Sequence, residues 1–94
     1  MKLALVLLGA AVGLCAAGGA SAQEALAKSS GCLNCHAVDT KKVGPAFKDV
    51  AAKFKGQADA EAKLTAQITG AKGHPQVKAS PDDVKSLVKW VLSL

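Results

Sequence analysis

Two thiols three residues apart, followed at once by an imidazole, make Cys32-Leu33-Asn34-Cys35-His36 the densest chemistry in this 94-residue chain. C-x-x-C-H is the attachment signature of c-type haem. The spacing has a chemical reason. Two thiols on one short loop reach the two vinyl groups along one edge of a rigid macrocycle and form thioethers. The next residue is then held beneath the iron, where its imidazole can be an axial ligand. Two other chemistries use paired cysteines. A thiol–disulfide motif sits in a βαβ context, and no alternating strand pattern is present here. A zinc site needs four ligands, and the only other histidine is His74.

The elements that must carry this segment read as helices. Glu24 to Ser30 predicts a short helix running into Gly31, with a turn through the two cysteines. Ala37 to Phe47 reads as loop, punctuated by Gly44-Pro45. Lys48 to Lys55 places Val50, Ala51 and Phe54 at helical spacing before Gly56. Ala58 to Thr69 is a second helical stretch, with Leu64 and Ile68 on one face and Gly70 as the expected C-terminal cap. After a loop from Ala71 to Ala79, the last helix has the clearest signal. Ser80 suits the N-cap, Pro81 the first helical position, and Asp82 and Asp83 the positive end of the dipole. Val84, Leu87, Val88 and Val91 then form an i, i+3, i+4, i+7 stripe.

The first 22 residues read as a secretory signal peptide. Lys2 gives a positive start, Leu3 to Ala17 is almost wholly apolar, and Ala20-Ser21-Ala22 is an A-x-A cleavage signal before Gln23. Cys15 then leaves with the leader, because Leu14 before it does not suit lipid modification. Residues 23–94 form the single functional domain, and the expected location is the periplasm, without stable membrane anchoring. So short a domain buries too little apolar surface for comfortable stability alone. A Cys32–Cys35 disulfide would close too small a loop to help much. A large apolar cofactor would supply the missing core.

From Ser30 to Leu94 the chain resembles the short soluble class I cytochromes c of bacteria. The segments that carry the resemblance are GCLNCHAVDTKKVGPAFKDVAAKFKG and KSLVKWVLSL. It implies an all-α class I cytochrome c fold, with three to four short helices around one covalently bound haem c and crossing terminal helices. Carried over by residue, it makes Cys32 and Cys35 the thioether anchors and His36 the proximal iron ligand. It makes the Pro45 carbonyl the partner of the proximal imidazole N–H. Trp90 would line the haem near a propionate. From the residues alone, Pro45 could equally set a turn and Trp90 could be ordinary packing.

One departure matters. The family supplies a methionine as the sixth iron ligand, yet the sole methionine here is Met1, inside the expected leader. Counting back from Trp90 without gaps, the family's ligand position falls on His74, in a loop shorter than that of its relatives. The expectation is bis-histidine ligation, His36 with His74. The bland reading is a solvated histidine in a polar loop. Thioether ligation raises a haem potential, so its replacement by imidazole implies a lower one.

Two functional classes remain. A haem with both axial positions filled is an electron carrier. One whose sixth ligand is absent or displaceable binds CO, NO or O₂. Without the leader, eleven lysines face seven acids, and no arginine is present. Lys28, Lys41, Lys42, Lys48, Lys53, Lys55 and Lys72 could ring the haem crevice and steer a redox partner with an acidic docking surface. They could also be solvated helix faces. The lack of arginine and of aromatic–basic interleaving argues against a nucleic-acid partner. No second titratable cluster supports enzymatic catalysis.

Overall fold

The computed structural model describes residues 15–94, with side chains from Ala22 onward. The start of the expected leader, residues 1–14, lies outside the described residues. Four helices follow in order: α1 (Cys15–Ser29), α2 (Phe47–Phe54), α3 (Ala60–Thr69) and α4 (Pro81–Leu92), with a 3-10 turn at Cys32–Asn34 between α1 and α2. No strand occurs among the described residues. None of the described helices is long and apolar enough to cross a membrane.

α1 begins well before the Glu24 expected from the sequence. It runs unbroken through Ala20-Ser21-Ala22, a segment of small residues with good helix propensity on either side of Gly18-Gly19. It ends where Gly31 takes φ 86, a left-handed conformation that turns the chain into the 3-10 segment. α2 begins one residue earlier than expected, so that Phe47, 6 % exposed, is its first residue.

The end of α3 differs from expectation in an instructive way. Gly70 stays right-handed, and Ala71 takes the left-handed position at φ 52. Lys72 N donates to Gln67 O at 2.9 Å and Ala71 N to Ile68 O at 3.2 Å, the paired bonds of a Schellman motif. The motif needs its left-handed residue one position after Gly70, so alanine adopts a conformation better suited to glycine.

α4 forms as the sequence reads. The Ser80 hydroxyl accepts from Asp83 N at 3.2 Å, and Pro81 and two aspartates occupy the first turn. Val84, Leu87 and Val88 are buried against α1, α2 and α3, all of which touch α4. The fourth stripe residue, Val91, is only half-buried. The reason is general to this fold. The fully buried apolar set is small, Ala27, Ala46, Phe47, Ala60, Val84, Leu87 and Val88. Larger side chains such as Phe54, Leu64, Ile68 and Val91 stop half-buried around a central cavity.

Candidate haem site

The cavity encloses about 410 Å³ and is bounded by the 3-10 turn, α2, α3, the loop before α4, and α4 itself. Its volume and mainly apolar walls match a site for a cofactor-sized ligand. Cys32, His36, Pro45, His74 and Trp90 all line it. Cys35 is half-buried and is not among the lining residues.

The attachment turn is wound tightly by its own backbone. Cys35 N and His36 N both donate to Cys32 O, at 3.2 and 3.0 Å. That winding sets the two thiols and the imidazole on one short arc. Both thiols are free, and burial pushes the Cys32 thiol above its ordinary value, partly offset by a backbone hydrogen bond.

His36 is held on three sides. Its Nδ1 donates to the Pro45 carbonyl at 2.6 Å. Phe47 stacks on it, with ring centres 5.0 Å apart and planes 22° apart. Gly44 lies flat against the ring, where an added Cβ would sit 2.8 Å from both Nδ1 and Nε2. Gly44 is itself fixed by donating to Cys35 O at 2.7 Å. Trp90 meets Phe47 edge-on at 5.7 Å and 75°, so it buttresses His36 through that ring.

His74 lies opposite. Its ring centre is 6.1 Å from that of His36, and the two planes are 4° from parallel. Its Nδ1 bonds the Pro75 carbonyl at 2.7 Å. A carbonyl can only accept, so Nδ1 carries the proton in both rings and each Nε2 keeps its lone pair. A metal–imidazole bond of about 2.0 Å, plus roughly 1.1 Å from nitrogen to ring centre, on both sides of one ion separates two ring centres by about 6.2 Å. The observed spacing fits two imidazoles addressing one iron within an apolar cavity. Among the described residues no group of three or more His, Cys, Asp or Glu side chains could hold a bare metal ion, which weighs against the zinc reading.

The lysines are less uniform than the sequence implies. Lys42 Nζ donates to Leu33 O at 3.0 Å, and Lys48 pairs with Asp39 at 2.7 Å. Lys53 lines the cavity. Gly44, Phe47 and Pro75 were not singled out by sequence reasoning as site residues. The signals lay in the GPAF run and in the proline that follows His74.

The Cytochrome c family model matches residues 20–94. Cytochrome c-551 of Pseudomonas aeruginosa is 53 % identical over 77 residues, covering 74 % of this chain and 74 % of its own length. Cytochrome c-552 of Nitrosomonas europaea is 41 % identical over 102 residues, covering 100 % of this chain and 99 % of its own. Among solved structures, the class 1 cytochrome MtoD of Sideroxydans lithotrophicus is similar with a TM-score of 0.66 and 40 % identity. That match covers 78 % of this chain and 92 % of the other. Wild-type Nitrosomonas europaea cytochrome c552 gives a TM-score of 0.64 at 39 % identity, over 76 % of this chain and 98 % of the other.

Proposed function

The chain belongs to the cytochrome c family, and on that premise we propose that it is a periplasmic electron carrier with histidine on both faces of its haem. Proteins of this family carry one covalently bound haem c and are electron carriers rather than enzymes. In this reading Cys32 and Cys35 are the thioether anchors, and His36 and His74 the axial ligands. When bound, the group supplies one-electron chemistry between ferric and ferrous iron. The protein's part is to position, desolvate and tune. The Pro45 carbonyl fixes the His36 tautomer and raises the basicity of its Nε2. Phe47 and Trp90 keep that ring in place, and the apolar walls exclude water.

The observation that carries the distal assignment is the 6.1 Å separation of two nearly parallel imidazoles across the cavity. Two imidazoles favour ferric iron more than imidazole with thioether does, so a lower potential than in methionine-ligated relatives follows. The net positive charge of the chain supports docking to an acidic partner surface, with an on-rate that falls as salt rises. Residues 1–22 would direct export and be removed.

The test is a pair of ferric and ferrous absorption spectra, wild type beside His74→Ala. The variant should turn high-spin when oxidised and bind CO readily when reduced, while wild type resists CO. Identical spectra for the two proteins would sink the distal assignment. Rapid stoichiometric CO binding by wild type would instead favour a small-ligand binder.

A further inference from the structure

The two imidazoles are not merely close; each is held by the same kind of partner. His36 Nδ1 donates to a prolyl carbonyl at 2.6 Å, and His74 Nδ1 does so at 2.7 Å. The resulting ring planes differ by 4°. We infer that Pro75 is the positioning residue of the distal side: its carbonyl clamps His74 as that of Pro45 clamps His36, and the two clamps set the rings parallel. The inference rests on the bis-histidine reading above and deepens it.

The local backbone explains why proline serves here. Its ring fixes φ near −65° and removes an N–H, so its own flexibility is small. A residue preceding proline is pushed toward extended conformations, which also narrows the choices of His74. On the other side Gly73 takes φ 72, turning the chain sharply after α3. His74 thus sits between a turn that sets its approach and a proline that sets its hydrogen-bond acceptor. Because the acceptor is backbone, no side-chain rotation can withdraw it.

Two consequences follow from the clamp. Donation from Nδ1 makes each Nε2 more basic, so the distal clamp adds its own preference for ferric iron to that of the proximal one. The clamp also fixes the plane of the distal ring. In low-spin ferric haem, parallel imidazole planes act on the same iron d orbital and split it from its partner. Perpendicular planes leave the pair nearly degenerate. The first arrangement gives a rhombic electron paramagnetic resonance spectrum with three resolved features, the second a single broad feature at low field.

The experiment uses the oxidised, haem-loaded protein in frozen solution. It compares wild type with Pro75→Gly and with the milder Pro75→Ala, and the reduction potential of each is measured. Pro75 is exposed, so neither change removes buried surface on which folding depends. Wild type should be rhombic. Pro75→Gly should move the low-field feature further down-field, broaden it and raise the potential, with Pro75→Ala intermediate. A single low-field feature in wild type overturns the parallel arrangement. Variants identical to wild type in both spectrum and potential overturn the role of Pro75. A high-spin wild-type spectrum overturns the ligation reading itself, and with it this inference; the other two failures leave the spectrum low-spin, so the cases are distinguishable.

Discussion

Gly44→Ala tests the proximal side by its smallest possible perturbation. The added Cβ would stand 2.8 Å from His36 Nδ1 and Nε2, and closer still to Cε1. Carbon atoms in good contact sit about 3.5 Å apart, so the ring or the backbone must move by about 0.7 Å or more. Neither gives way freely. The ring is stacked on Phe47 on one side and bonded to Pro45 O, while the Gly44 backbone is held by Cys35 O. Overpacking of this kind costs about 1–3 kcal/mol. Weakening the Nδ1 bond adds about 0.5–1.5 kcal/mol.

Together these give about 2–4 kcal/mol, and a domain of this size loses roughly 4–8 °C per kcal/mol. The haem-loaded variant should therefore melt at least about 8 °C below wild type. Its Soret band should also shift, because the proximal ring is displaced. A melting point within about 2 °C of wild type, with an unchanged Soret band, would show that the close approach of Gly44 does not hold His36.

Two further substitutions probe the helix ends that frame the site. Ala71→Gly should raise stability by about 0.5–1 kcal/mol in a denaturant titration, because glycine accepts the left-handed φ of 52 that costs alanine about 1 kcal/mol. A loss of stability would show that the position is not strained. Ser80→Ala removes the acceptor for Asp83 N and should cost about 1 kcal/mol, read as a lower melting point. No change would mean that α4 is capped by water instead.

The fold was legible where local rules and burial agree. Ser80, Pro81, Asp82 and Asp83 encode the start of α4, and its apolar stripe encodes the face that the other helices cover. Legibility failed where the choice between neighbours is geometric. Gly70 looks like the cap of α3 by residue type, but the left-handed position falls on Ala71, set by where the 6→1 bond to Gln67 closes. The site divides in the same way. Cys32, Cys35 and His36 declare themselves by spacing, and His74 by occupying the place of a missing methionine. Gly44 and Pro75 carry no such signal, because their part is to present a bare backbone surface and a carbonyl. Those roles appear only once the histidine rings are in place.

The cavity links loading to folding, and the link can be tested by preventing attachment. Val50, Phe54, Leu64, Ile68, Val77 and Val91 all line the cavity and are only half-buried by the chain itself. Full burial of such a side chain is worth about 1.5–3 kcal/mol, so covering the remaining half of each contributes about 1 kcal/mol. Six of them give about 6 kcal/mol, similar to the whole stability of an ordinary small domain. Among the described residues the fully buried set is mostly alanine and valine, with Phe47 and Leu87 the only larger members. Cys32→Ala/Cys35→Ala, purified without attached haem, should therefore show little cooperative unfolding and a reduced helical signal in far-ultraviolet circular dichroism. Its four helices persist in isolation only if packing among them suffices. A sharp melt with wild-type helicity would show that it does, and that the haem fills a cavity the protein could have left empty.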